Sequence, residues 1–193
     1  MPTMISPPSF TSGDGGTLKN NLTCKSPSFI FFAHLDSHLF LPTAPSRSCF
    51  HFAYQFPFET FYEAIRRHEH QLAANLGVYG NDKHVLDVGC GIGGPMRNIA
   101  KFLQCNVTGI TLNPYQVNRG NELTQADKFV ADKCKSVQGD FMEQPFKDQE
   151  FDAAYAIEAT CHAPDRVKCY KEVYRLLKPG AHFALYEWCM TEK

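Results

Sequence analysis

Ten residues, VLDVGCGIGG (Val85 to Gly94), concentrate the chemistry that this sequence offers. Gly89, Gly91 and Gly94 fit the spacing G-x-G-x-x-G, and Gly89, Gly91 and Gly93 fit G-x-G-x-G. Glycines so placed let a chain turn tightly after a strand and bring its backbone against a ligand. The spacing alone names no cofactor. Asp87, two residues before the first glycine, narrows the choice. An acid beside the turn opposes a diphosphate and suits a cation, and S-adenosylmethionine carries an α-ammonium and a sulfonium. The plainer reading has Asp87 only capping the turn through backbone N–H groups. GDF (Gly139, Asp140, Phe141), about 50 residues on, is a second adenosine cue. There Asp140 can accept from the adenine amino group while Phe141 lies against the ring. In GITLNPYQV (Gly109 to Val117) no acid stands where a ribose-binding one is expected. Thr111, Asn113 or Gln116 has to serve with neutral hydrogen bonds.

These residues need elements to hold them. Thr60 and Glu63 form a capping box, and Phe61, Ile65, His68, Leu72 and Leu76 then mark one helical face that stops at Gly77. HVLDVG (His84 to Gly89) reads as a buried strand, and Pro95 to Leu103 as a helix. NVTGI (Asn106 to Ile110) is a second strand, followed by a helix from Pro114. KSVQGD (Lys135 to Asp140) and FDAAYAI (Phe151 to Ile157) are a third and fourth strand. Val167, Tyr170, Val173, Tyr174 and Leu177 predict a helix that Pro179-Gly180 ends, and HFALYEW (His182 to Trp188) is a fifth strand. Strands alternating with helices predict an α/β domain with a mostly parallel sheet, and such sheets bind ligands at the carboxyl ends of their strands.

Composition removes other classes. The chain has 193 residues, with 19 Lys plus Arg against 20 Asp plus Glu, a net charge of −1 that argues against bulk electrostatic binding of nucleic acid. No apolar run is long enough to span a membrane; Phe29 to Ala33 is soon followed by His34 and Asp36. None of the eight cysteines sits in a C-x-x-C pair, so they read as reduced, small hydrophobes rather than zinc or redox ligands. His68-Glu69-His70 is no metal motif either, because H-x-H on a helix turns its rings to different sides; a polar helix surface or a contact with a cofactor lid is expected, and no metal. Residues 1–48 hold 13 Ser or Thr and 6 Pro without helical or strand period. A disordered leader or doubtful first exon is expected there, a targeting segment being the other reading; the domain is expected over 49–193.

Longer stretches resemble the sterol 24-C-methyltransferases: SCFHFA (Ser48 to Ala53), RRHEHQLAANLG (Arg66 to Gly77), VLDVGCGIGGPMRNIAKF (Val85 to Phe102), YAIEATCHAPD (Tyr155 to Asp165) and LLKPGAHFALYEWCMT (Leu176 to Thr191). The resemblance implies a Rossmann-like, S-adenosylmethionine-dependent methyltransferase fold with five of its seven strands present. It implies methyl transfer from that cofactor to carbon 24 of a sterol side chain, at the endoplasmic reticulum or a lipid surface, without a spanning helix. It also marks two departures. The aromatic segment that such proteins carry before the FHFA motif is replaced by Pro42 to Ser48, which has no aromatic. The last two strands and the region that covers the sterol have no counterpart, which predicts an open edge at the fifth strand and little or no activity by this chain alone.

That chemistry sets its own demands. An alkene attacks the sulfonium methyl without a base and is left as a carbocation, so the site must align the partners, stabilise positive charge and remove a proton. Aromatic faces stabilise a cation by about 0.5–2 kcal/mol. Phe50, Phe52 and Tyr54, alternating along an extended segment, and Tyr155 are the candidates, with core packing the alternative. Glu158 can take the proton or balance the cation, and His162 can act as base or orient Glu158; a turn-capping Glu158 and a packed His162 are the plainer readings. The alternatives in function are another small-molecule or lipid methyltransferase, a remnant that binds a cofactor without transfer, and, less well matched, a nicotinamide oxidoreductase. Composition and motifs leave the oligomeric state open.

Overall fold

The computed structural model describes residues 28–33 and 49–189. Six strands form one sheet in which every pairing is parallel: β1 (Ser28–Ala33), β2 (His84–Val88), β3 (Asn106–Thr111), β4 (Cys134–Gln138), β5 (Phe151–Ile157) and β6 (Leu177–Glu187), in the order β1-β6-β5-β2-β3-β4. Four helices connect them: α1 (Phe61–Ala74), α2 (Gly94–Leu103), α3 (Pro114–Gln125) and α4 (Arg166–Leu176). The five expected strands and four expected helices are all present.

Local chemistry accounts for the boundaries. At α1, Thr60 accepts from the Glu63 N–H while Glu63 accepts from the Thr60 N–H, the reciprocal bond that the sequence predicts. Proline stands in the first turn of α2 and of α3, where the missing N–H costs nothing. The end of α4 differs from the expectation. The helix stops at Leu176, and β6 starts at once instead of after Pro179-Gly180. A residue before proline disfavours the helical region, so Lys178 ends the helix early. The extra residues bulge: Phe151 pairs with Leu177 but Ala153 pairs with His182.

Alternation along the strands splits the core. Val85, Val107, Ala153, Tyr155 and Ala184 pack with Leu72, Leu76, Met96 and Ile99 of α1 and α2. Leu86, Ile110, Ala154 and Phe183 pack on the other side with Val173 and Leu176 of α4. A sheet covered on both faces reads in sequence as near-continuous apolar runs, and such runs made β2, β5 and β6 legible.

Two expectations about the edges are corrected. The leader expected over 1–48 contributes β1, which lies parallel to β6 from Ser28 opposite His182 to Ala33 opposite Glu187. The fifth expected strand, β6, is therefore not an open edge. An extended apolar run satisfies the backbone groups that a bare edge would leave to solvent or to another chain. The sheet thus draws on residues from both sides of the boundary expected at residue 48.

Candidate active site

The carboxyl ends of β2, β3, β4 and β5 open on one cavity of about 500 Å³, within the usual range for small-molecule sites. Gly89, Cys90 and Gly91 line it after β2, Thr111, Leu112 and Gln116 after β3, Gly139, Asp140, Phe141 and Met142 after β4, and Glu158, Ala159 and His162 after β5. Phe50 and His51 close it from the segment before α1.

The glycine turn is built by close approach. Gly89 has φ +91°, and a Cβ there would stand 2.4 Å from the Cβ of Ala159. The Gly89 and Cys90 N–H groups both donate to the Ile110 carbonyl, at 3.0 Å. Those bonds, not Asp87, hold the turn. Asp87 instead lies beneath it, 3% exposed and off the cavity wall, accepting from the Tyr155 hydroxyl at 2.8 Å. Burial pushes its carboxyl up to about 7; the Tyr155 bond pulls it down, and the charge of Glu69 adds to the rise. Gly93 also lies off the wall; it is the left-handed N-cap of α2, with φ +74°.

Of the other expected cofactor residues, Thr111, Gln116, Asp140 and Phe141 all reach the cavity. The Thr111 hydroxyl donates to Gln116 Oε1 at 2.7 Å, a neutral pair at the place where an acid is missing. Asn113 caps α3 by accepting from the Tyr115 N–H. Asp140 accepts from the Met142 N–H through Oδ1 at 2.8 Å, and Phe141 packs against the apolar core beside it.

Glu158 and His162 both line the cavity. They are not stacked on a helix: Glu158 has φ +50° and is followed by a 3-10 turn, Thr160–His162. A non-glycine residue in that left-handed region costs about 1–2 kcal/mol. Glu158 Oε1 accepts from the Phe52 N–H at 3.2 Å, and Oε2 accepts from Trp188 Nε1 at 3.2 Å. Burial pushes its carboxyl up to about 6 against the pull of those two bonds. A carboxyl tuned toward neutrality in a cavity is the condition for accepting a proton at ordinary pH.

The aromatic expectation is corrected in three places. Phe50 lines the cavity, but Phe52 packs edge-on to Trp188 and Tyr54 edge-on to Phe56, both away from the wall. Tyr155 is 0% exposed in the core, and its hydroxyl is spent on Asp87. It has no ring face to offer a ligand. Strand alternation explains this: Tyr155 follows Ala153 on the α1 and α2 face, not at the strand's end.

Sequence reasoning missed a polar cluster below Phe50. Glu69, 1% exposed, receives hydrogen bonds from the Cys49 thiol at 3.4 Å and from the Asn98 amide, and His51 Nε2 stands 3.3 Å from its Oε1. Burial pushes Glu69 up to about 7 against those hydrogen bonds. His68 stacks on Tyr186 and His70 on Phe102, so their rings do part as the spacing predicts. His68 and Glu69 are buried, however, and form no polar surface. Cys49, His51 and Glu69 bring a thiol, an imidazole and a carboxylate within 4.8 Å of one another, the one such grouping among the described residues. Cys49 and His51 lie 20 and 18 residues before Glu69, so no local spacing announced it. Glu187 was missed too, although it lies within YEWCMT; its role is developed below.

A family model described as a methyltransferase domain matches residues 86–185, from β2 through β6. The chain belongs to that family. Among curated relatives, this methyltransferase domain is 59% identical over 143 residues to cycloartenol-C-24-methyltransferase 1 of Oryza sativa subsp. japonica, covering 74% of this chain and 41% of the relative. It is 57% identical over 143 residues to cycloartenol-C-24-methyltransferase of Arabidopsis thaliana, covering 74% and 42%. The sterol 24-C-methyltransferase of Saccharomyces cerevisiae is 49% identical over 147 residues, covering 76% and 38%. The chain thus spans about two-fifths of the length of the curated relatives it matches. Among solved structures, a geranyl diphosphate C-methyltransferase from Streptomyces coelicolor A3(2), in complex with S-adenosyl-L-homocysteine, matches with a TM-score of 0.61 at 26% identity, covering 65% of this chain and 47% of that one. The cyclase SpnF matches at 0.66 and 26%, covering 71% and 50%. The domain therefore shares its fold with proteins named for methyl transfer and with one named for cyclisation, and function must be argued from the site.

Proposed function

We propose that the cavity holds S-adenosylmethionine and that the domain serves methyl transfer to carbon 24 of a sterol side chain. The observation that carries the reading is convergence: Gly89, Gly91, Thr111, Gln116, Asp140, Phe141 and Glu158, from four strand ends, line one cavity of about 500 Å³. The residues fit the cofactor. Asp140 accepts from the adenine amino group, and Phe141 lies against the ring. Thr111 and Gln116 hold the ribose hydroxyls. The N-terminus of α2 approaches the wall at Gly91 and Pro95, where its positive end suits the cofactor carboxylate. Asp87, buried beneath the turn, would when ionised favour a cationic α-ammonium over an anion. A dinucleotide is the poorer fit, because that same buried acid opposes a diphosphate.

When bound, S-adenosylmethionine supplies an electrophilic methyl group, and the chain's residues do the rest. Phe50 and the glycine turn would flank the group, the ring offering an aromatic face beside it. The Glu158 carboxylate, fixed by the Phe52 N–H and the Trp188 indole, balances the positive charge left on the sterol side chain and takes the proton that neutralises it. His162, on the same wall, is the second candidate base. A sterol acceptor also brings the domain to a lipid surface. No helix among the described residues is long and apolar enough to cross a membrane, and Tyr54, Phe56 and Phe58 are exposed aromatics suited to peripheral contact.

Titration calorimetry of the purified chain with S-adenosylhomocysteine tests the cofactor reading. One-site binding that Asp140→Ala weakens at least tenfold is expected, and a folded chain that takes up no ligand refutes it. Turnover of cycloartenol with labelled S-adenosylmethionine, set against phenol and amine acceptors, tests the acceptor. Transfer to phenols or amines and none to the sterol favours the other small-molecule reading.

A further inference from the structure

The turn after β5 carries Glu158, Ala159 and His162 into the cavity on two backbone bonds of its own, from the His162 N–H to the Ala159 carbonyl at 3.2 Å and from the Ala163 N–H to the Thr160 carbonyl at 3.1 Å. Its 3-10 segment is three residues long, and Ala159, at its N-cap, makes no side-chain cap. Glu158 enters it through a left-handed backbone, φ +50°. The Thr160 hydroxyl meets the Tyr170 hydroxyl of α4 at 3.1 Å, and the remaining hold comes from the neighbouring strand. Glu187, the last residue of β6, is 4% exposed. Its Oε1 accepts from the Ala159 N–H at 3.2 Å, the Thr160 N–H at 2.6 Å and the Thr160 hydroxyl at 2.7 Å. Its Oε2 accepts from the Cys161 N–H at 3.1 Å. Three successive backbone donors and one hydroxyl converge on a single buried carboxylate, the set of partners that a helix N-cap supplies elsewhere. The residue before it completes the grip, since the Tyr186 carbonyl accepts from the Glu158 N–H at 2.9 Å.

We infer that Glu187 is a positioning residue: its carboxylate fixes the left-handed bend at Glu158 and thereby the cavity wall formed by Glu158, Ala159 and His162. Two contacts make the wall sensitive to this clamp. Ala159 sits against Gly89 so closely that a Cβ on the glycine would stand 2.4 Å from its own. A shift of the turn toward β2 therefore pushes on the glycine turn. On the other side Glu158 bridges to Phe52 and to Trp188, which follows Glu187 directly in sequence. Releasing the clamp loosens both margins of the cavity at once. A carboxylate is required by number: an amide keeps one accepting oxygen but turns N–H donors toward backbone N–H groups.

The binding arm of the test rests on the cofactor reading above; the exchange arm does not. Glu187→Gln and Glu187→Asp are made in the full 193-residue chain. At a temperature where circular dichroism shows all three proteins folded, calorimetry gives the dissociation constant for S-adenosylhomocysteine, and amide hydrogen exchange is followed at Ala159, Thr160 and Cys161. The expected result for Glu187→Gln is affinity weakened at least tenfold and those three amides exchanging at least tenfold faster, with exchange in β2 and β3 unchanged. Glu187→Asp, which keeps the charge on a shorter arm, falls between. A carboxylate that only stabilised the fold would lower the melting temperature and leave the affinity of the folded protein alone. Folded Glu187→Gln that binds within twofold of the parent overturns the inference. Where Glu187→Gln does not fold, or the parent takes up no ligand, exchange in the parent decides. Protection of the three amides by a hundredfold or more over free-chain rates supports the clamp, and exchange at near free-chain rates overturns it.

Discussion

Asp87 offers the sharpest test of the electrostatics beneath the glycine turn. In the unfolded chain its carboxyl titrates near 3.8, and in the fold burial pushes it up to about 7. Between those values the folded state holds a proton that the unfolded state has released. Stability therefore falls as pH rises through the window, and the full penalty is present above about 7. A difference of about three pH units at 1.36 kcal/mol each amounts to a penalty of up to ~4 kcal/mol. Asp87→Asn removes the titration and keeps an oxygen for the Tyr155 hydroxyl, but it buries an amide whose N–H groups lack partners, at a cost of about 1–3 kcal/mol. The net expectation is a variant more stable than the parent by about 1–3 kcal/mol at pH 8. At pH 4 that advantage is gone or reversed.

The decisive quantity is the change in that difference between pH 4 and pH 8. The amide penalty is the same at both values and cancels; the titration of Glu69, which both proteins retain, cancels except for its smaller charge coupling to Asp87. Urea unfolding followed by circular dichroism at pH 4, 6 and 8 measures it. A variant that gains ~3–4 kcal/mol relative to the parent across this range confirms a carboxylate held in the fold against its preference. Parallel stability profiles for the two proteins would refute the argument. The same substitution should weaken S-adenosylhomocysteine binding, so the acid would be destabilising in the free protein and favourable with a cation above it.

Other consequences are simpler to read. Trp188 is the single tryptophan of the chain and bonds to Glu158, so its fluorescence should titrate with a midpoint near 6, and Glu158→Gln should abolish the transition. Gly89→Ala meets both a positive φ and the Ala159 Cβ; we expect a loss of about 1–3 kcal/mol in stability and no detectable S-adenosylhomocysteine binding by calorimetry. Hydrogen bonding accounts for the contacts of Cys49 and Glu69, so Cys49→Ser, which keeps a donor to that carboxylate, should change stability by less than about 1 kcal/mol. A chelator should then leave the melting temperature unmoved; a chelator-sensitive melting temperature would turn Cys49, His51 and Glu69 into metal ligands.

What could be read in advance followed from periodicity and from local rules. Short apolar runs bounded by glycine and turn signals gave β2 and β5, and the Thr60–Glu63 box gave the start of α1 to the residue. That the glycine turn and Asp140-Phe141 meet at one cavity was legible because both follow strands at the carboxyl end of a parallel sheet. What escaped depends on contacts distant in sequence. Tyr155 looked like a ligand-facing aromatic because its position along β5 was known but its face was not; one residue of alternation sends it under Asp87. The pairing of β1 with β6 joins residues about 150 apart, and nothing in either strand specifies the partner. The Glu69 cluster joins α1 to the segment before it and to α2, again through residues that no spacing rule links.

Glu187 shows why the site cannot be understood from cavity-lining residues alone. It does not line the cavity, yet it holds the turn that does, and it is adjacent in sequence to Tyr186 and Trp188, which hold Glu158 from two sides. The end of β6 thus sets the geometry at the end of β5. Because β6 is itself paired with β1 from Ser28 to Ala33, with Ala33 opposite Glu187, the register of that outer strand reaches the same point. A deletion of residues 28–33 should therefore be felt first at Glu158, as a change in Trp188 fluorescence, before the core around β2 and β3 loosens. Loss of ordered structure throughout the sheet, with no prior change at Trp188, would mean that β1 supports the fold as a whole and has no particular hold on the site.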